Sequence, residues 1–174
     1  MSGTTLVAAV ALETVAAVAA LATGWCALGT TSPLTFAVAA LAGAALFALL
    51  YGRRRNDGHG ALRPRALAIF ALTLAAASFA EEVLWRGAAF GYLTHGDGSA
   101  VAFGGSTLGF ALAHVAGQGW PGFRVHLLTG ALFALVLLAS GHLIDAIAAH
   151  AAYNFSLFFS VRNKGGSVHE SVLA

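Results

Sequence analysis

Six apolar runs, at 4–29, 33–51, 66–94, 100–117, 125–140 and 142–160, fill most of the 174-residue sequence, and they constrain the fold more than any other feature. A helix that crosses a bilayer needs about 20 predominantly apolar residues. The first three runs reach that length comfortably. The fourth and fifth are short, and only Gly141 separates the last two. The expected fold is an all-α, polytopic transmembrane bundle of about six helices, with five or seven as the alternatives. Composition agrees: 59% of the residues are hydrophobic and 9% charged, with a mean hydropathy of +0.81. Soluble domains carry about 25% charged residues, so this chain has too few charges to coat a globular surface. One domain over 1–174 is the natural count at this length. Its motif-bearing core is expected at about 66–160, and the polar tail 165–174 is expected to fray.

The placement of cations supports six helices. Arg53, Arg54, Arg55, Arg63 and Arg65 fall between the second and third runs, Arg124 between the fourth and fifth, and Arg162 and Lys164 after the sixth. Six alternating spans put all of these on one side, and the positive-inside rule makes that side cytoplasmic, with both termini inside. The Arg53–Arg65 cluster reads as an orientation signal, with contact to anionic lipid secondary. The expected location is an integral, multi-pass membrane protein, in the inner membrane if the cell is bacterial. The first run is too long for a signal-peptide core and reads as a retained helix. The net charge of +2 comes from a few Arg clusters and does not suggest a nucleic-acid partner. Cys26 is the single cysteine, so an internal disulfide is excluded.

Ionisable side chains inside membrane spans are costly and usually face a bundle interior or a water-filled cavity. Most of those present fall into three helical patterns. In Glu81-Glu82-Val83-Leu84-Trp85-Arg86, Glu82 and Arg86 stand at i,i+4 and can pair, while Glu81 points about 100° away. One carboxylate is thereby neutralised and the other left to face a cavity; the alternative is a structural ion pair with a spare acid. In Phe110-Ala111-Leu112-Ala113-His114 the two end residues share a face. A lone His of this kind is as often a packing residue bonded to a backbone carbonyl. In His150-Ala151-Ala152-Tyr153-Asn154 the polar pair again stands at i,i+4, with donors suited to an oxyanion; the alternative is an interhelical clamp. Outside the patterns, Glu13 and Asp145 read as structural, His126 and His142 as interfacial. Trp25, Trp85 and Trp120 read as interface or packing residues, and Trp85 and Trp120 could line a path for substrate. Small residues such as Gly43-Ala44-Ala45, Gly87-Ala88-Ala89 and Gly104-Gly105 permit close helix approach.

Taken together and in order, Glu-Glu-x-x-x-Arg, Phe-x-x-x-His and His-x-x-x-Asn resemble the CAAX-protease and bacteriocin-processing family, relatives of the type 2 CAAX prenyl endopeptidases. The resemblance runs from about Ala66 to Phe159. It implies an intramembrane endopeptidase that hydrolyses a membrane-associated peptide or protein. Glu81 would be the catalytic acid/base, and His114 its partner in holding the attacking water. His150 and Asn154 would form the oxyanion site. Glu82 and Arg86, with Phe110, would support it. A Glu81, His114 and His150 set could also bind zinc; the metal-free reading is preferred because Asn154 suits an oxyanion better than a metal. For a bacterial chain, the resemblance points to bacteriocin maturation, self-immunity or sortase-like removal of C-terminal anchoring segments, as in myxosortase-type systems. The competing readings are a non-enzymatic immunity or scaffold protein binding a peptide in the same cavity, and a small proton-coupled transporter.

Depth raises a difficulty. Counted from Arg65, Glu81 lies roughly 24 Å into its helix, and His114 lies roughly 21 Å from the opposite face. The hydrocarbon core is only about 30 Å thick. The expectation that reconciles them is a fourth helix starting after Gly104-Gly105, with 100–105 as a loop lining the cavity.

Overall fold

A computed structural model describes residues 3–24, 26–52 and 64–163. Trp25, the cations Arg53, Arg54, Arg55, Arg63 and Lys164, and the tail 165–174 lie outside the described residues. Within them every regular element is helical, and six helices follow in order. These are α1 (Gly3–Ala22), α2 (Pro33–Tyr51), α3 (Pro64–Asp97), α4 (Ser99–Ala113), α5 (Val115–Ser140) and α6 (Leu143–Asn163). The all-α bundle expected from the apolar runs is the fold observed.

The surface has the polarity of a protein dissolved in lipid. Leu12, Leu34, Leu49 and Leu72 are 72%, 74%, 82% and 71% exposed. The fully buried side chains include Arg86, Glu82, Asp145, Ser78 and Ser106. A soluble domain inverts this, because water solvates charges and expels leucine. In hydrocarbon, leucine has nothing to gain from burial, and each charge needs a partner. Three helices, α2, α3 and α5, are long and apolar enough to cross a membrane.

Contacts between named residues set the helix directions. Ser78 meets Asn154 and Glu82 meets His150, so α3 and α6 run antiparallel. Trp85 packs on Gly109, and Leu93 on Gly105, which makes α3 and α4 antiparallel too. Gly43 lies against Ala149, and Phe47 meets Tyr153 edge-on with ring centroids 5.7 Å apart, so α2 runs parallel to α6. The α2–α6 seam is the most extensive in the bundle. A Cβ on Gly43 would overlap the Ala149 carbonyl oxygen, so only glycine admits this approach. Small residues thus bring α2 onto the back of the turn that carries His150.

Three departures from straight helices matter for the site. First, α3 is one continuous helix of 34 residues, about 51 Å long. Its α-helical part Pro64–Glu82 passes into a π-helical turn at Val83–Ala89 before Phe90–Asp97 resumes. Second, α4 has only 15 residues, about 22 Å, and so stops short of crossing a core of about 30 Å. The chain breaks at His114 and immediately starts α5. Third, α5 is bent at Gly119 (φ 68°, ψ −171°), a backbone region that only glycine enters cheaply. Pro121 follows at once, and α5 then runs on to Gly141, whose left-handed conformation ends it.

Two expectations are corrected. Residues 100–105 are not a loop: α4 begins at Ser99. The depth mismatch is absorbed by α3, which is longer than the membrane is thick and carries Glu81 near its midpoint. The fifth helix does not begin at 125 either; residues 115–124 are helical, with the bend at Gly119 in place of a loop. Gly and Pro read as loop formers, but here they make an elbow inside one helix.

Candidate active site

The polar residues of the three patterns converge between α3, α4 and α6. Two adjacent acids end up in different environments. Glu82 is fully buried, and its Oε1 accepts from Arg86 Nη1 at 3.3 Å and from His150 Nδ1 at 2.9 Å. Arg86 Nη2 also donates to the Gly130 carbonyl at 2.8 Å, tying α3 to α5. The guanidinium lies over the Phe110 ring, 4.5 Å from its centroid. Gly130 is required for this contact, because a Cβ there would come within 3.0 Å of Nη2 and 2.9 Å of the Phe110 ring. The anticipated Glu82–Arg86 pair is therefore present, with His150 as a third member that the spacing alone did not indicate.

Glu81 points the other way. Its Oε1 lies 3.8 Å from His114 Nε2, and its Oε2 lies 3.8 Å from His150 Nε2. Both separations exceed a direct hydrogen bond, but a single water can reach either pair. The Glu81 and His114 side chains keep 13% and 19% of their surface exposed, whereas Glu82 keeps none. The divergence follows from adjacency on a helix, where neighbours stand about 100° apart. Immediately beyond them, the π-helical turn lets the Phe90 N–H reach back to the Trp85 carbonyl, and wide turns of this kind often mark functional sites.

Each imidazole is oriented by a second contact. His114 Nδ1–H donates to the Phe110 carbonyl at 2.8 Å, which leaves Nε2 to face Glu81. The expected bond to a backbone carbonyl is thus made by one ring nitrogen, and the other lies toward Glu81. His150 stacks on Phe133 at 4.5 Å between centroids, with 18° between planes. Its Nδ1–H is held by Glu82, so Nε2 again faces Glu81.

Asn154 is placed one turn away. Its amide donates to Ser78 Oγ at 2.9 Å, and the Ser78 hydroxyl donates in turn to the Leu74 carbonyl at 2.8 Å. That chain assigns the amide orientation and leaves Asn154 one further N–H. His150 and Asn154 thus both face α3, where their direct bonds go to different partners. The first meets the two acids, and the second meets Ser78.

Sequence reasoning missed three participants. His126, read as interfacial, lies in the site, stacked on His114 with centroids 3.6 Å apart. Ser78 stands one turn before Glu82, a spacing that could have flagged it. Gln118, which holds His126, carried no signal. Glu13, half-buried on α1, lies within electrostatic reach of Glu81 and His114. Asp145, read as structural, accepts from Thr31 at 2.9 Å and ties α6 to the α1–α2 connection.

The set considered for zinc, Glu81, His114 and His150, addresses the two imidazoles through different carboxylate oxygens. Among the described residues no group of three or more His, Cys, Asp or Glu side chains is disposed to hold a metal ion.

The family model described as type II CAAX prenyl endopeptidase Rce1-like matches residues 63–156, more than half of the chain. The chain belongs to that family, and it is an integral membrane protein of CAAX-protease type. Searches of curated proteins and of solved structures each returned no match.

Proposed function

We propose that this protein is an intramembrane endopeptidase in which Glu81 activates water against a peptide bond of a membrane-associated substrate. The observation that carries the reading is the asymmetry of the two acids. Glu82 is consumed by Arg86 and His150, whereas Glu81 stays partly exposed between two imidazole nitrogens at 3.8 Å. A water hydrogen-bonded to Glu81 Oε1 and His114 Nε2 sits where a general base can take its proton. As hydroxide attacks the carbonyl carbon, negative charge moves to the carbonyl oxygen. His150 Nε2, when protonated, and the remaining Asn154 N–H are the donors for that oxyanion. Glu81 then returns the proton to the leaving amine, so the cycle closes without net transfer.

The mechanism needs no metal. The donor set supports this, since Asn154 serves an oxyanion and is a poor zinc ligand. The proposed substrates are C-terminal sorting signals, CAAX-like tails or bacteriocin precursors. The orientation that fits the cation placement has both termini in the cytoplasm. The test is a comparison of mature termini of membrane peptides from cells carrying the wild type or Glu81→Ala. One class of termini is expected to vanish in the variant. In a purified assay, cleavage should fall by about 10²- to 10⁴-fold, the usual contribution of general acid–base catalysis. Unchanged termini and unchanged cleavage would overturn the reading.

A further inference from the structure

His126 and Gln118 lie outside the three motifs, yet with His114 they form a closed figure. The Gln118 backbone N–H donates to the His114 carbonyl at 2.9 Å. The Gln118 side-chain carbonyl accepts from His126 Nε2 at 3.0 Å. The His126 ring lies flat on the His114 ring, centroids 3.6 Å apart and planes 17° apart. Backbone, side-chain bond and ring stack therefore close a loop on His114, and the Gln118–His126 bond crosses the bend at Gly119.

The loop answers a mechanical problem. His114 sits at the break between α4 and α5, where no continuous helix holds its side chain. The Phe110 carbonyl holds Nδ1 and the Phe110 ring meets the imidazole edge-on, centroids 4.7 Å apart. A flat neighbour at 3.6 Å adds support on a ring face and keeps Nε2 aimed at Glu81. His126 Nδ1 is buried with no hydrogen-bond partner among the described residues, a cost that a phenylalanine at this place would avoid. The imidazole retains one capability phenylalanine lacks, the bond to Gln118. Gly122 makes room for it, since a Cβ there would overlap the Gln118 side chain.

We propose that His126, held by Gln118 across the Gly119 elbow, is a positioning residue that locks the His114 ring in the orientation needed to hold the attacking water. This rests on the peptidase reading and adds to it a dependence on the elbow: a shift of the elbow turns His114 away from Glu81. His126 touches neither substrate nor water in this scheme and acts only through His114.

The experiment compares His126→Ala, His126→Phe and Gln118→Leu with the wild type by two measurements. One is kcat and KM on a cleavable membrane peptide. The other is the ¹⁵N spectrum of the His114 ring in detergent-solubilised protein, which reports ring order and tautomer with no substrate present. His126→Ala is expected to lower kcat roughly 10- to 100-fold, the cost of misplacing a reacting group by about 1 Å. KM should stay within about twofold of wild type by the same reasoning, because no substrate contact is lost. The His114 signal should broaden or split. His126→Phe keeps the stack and should recover most of kcat, and Gln118→Leu should fall between. If His126→Ala fails to fold, the other two variants carry the test: a sharp wild-type His114 signal in both, with unchanged kcat, overturns the proposal. So does a Phe variant as slow as the Ala variant. A wild type that cleaves nothing defeats the peptidase reading instead, and the ring spectra still decide whether His126 positions His114.

Discussion

The α2–α6 seam and the α3–α4–α5 side of the bundle solve opposite problems with the same helices. At the seam, both helices are regular. Their contact is made by Gly43, Ala39, Ala149 and a stack of Phe47, Tyr51 and Tyr153. On the other side lie a π-helical turn, a helix that stops short of crossing and an elbow at Gly119. That side also carries buried polar atoms with no hydrogen-bond partner among the described residues, at Glu82 Oε2, Arg86 Nε, Ser106 and Thr107. Irregular backbone at membrane depth survives only where protein or a watery cavity covers it. The seam supplies a rigid wall, and the departures from ideal geometry gather where they can aim Glu81, His114 and His150.

The contrast breaks most severely at Arg86. Arg86→Ala leaves Glu82 buried with one partner fewer and cuts the link to Gly130, and breaking a buried pair costs about 3–5 kcal/mol. The expected result is a marked loss of folded yield and of thermal stability together with activity. An Arg86→Ala protein that expresses and melts like the wild type would show that neither the ion pair nor the Arg86–Gly130 bond holds this side of the bundle together. Asn154→Ala tests the chemistry apart from the fold. Loss of one oxyanion donor costs about 10²- to 10³-fold in kcat, with little change in melting temperature because Asn154 is only partly buried. Equal losses in kcat and stability would reassign Asn154 to a structural clamp on Ser78.

Gly43→Leu probes the seam. Forcing a side chain against the Ala149 carbonyl should cost about 1–3 kcal/mol, as overpacking does. Because Ala149 precedes His150, activity should drop along with stability. A variant destabilised but fully active would mean that the wall and the site are uncoupled. The smallest expected effect is none at all: peptide cleavage by protein of quantified metal content should survive exhaustive chelation. Activity that disappears with chelator and returns with zinc overturns the metal-free mechanism and leaves the protease assignment standing.

Much of this was legible before any coordinates. The bundle follows from run lengths and scarce charge. The Glu82–Arg86 pair and the separation of Glu81 from Glu82 follow from helical geometry within a single turn. His126 was not legible, for a definite reason. Twelve residues along an unbroken helix span about 18 Å, so His114 and His126 would not meet. The break at His114 and the bend at Gly119 bring their rings to 3.6 Å. Asn154 shows the same limit from the other direction. Its spacing from His150 placed it correctly on one face of α6, but the partner across the gap is Ser78.

The sequence by itself determined the solvent, the all-helical class and the Glu82–Arg86 pairing within one helical turn, because lipid dictates composition and the helix dictates its own periodicity. Only the tertiary structure decided that His150 joins Glu82 and Arg86, how α3 spans more than the membrane's thickness, and which histidine steadies which. Those outcomes depend on distances between helices, and these are set by a few backbone irregularities and glycine contacts that no local pattern encodes.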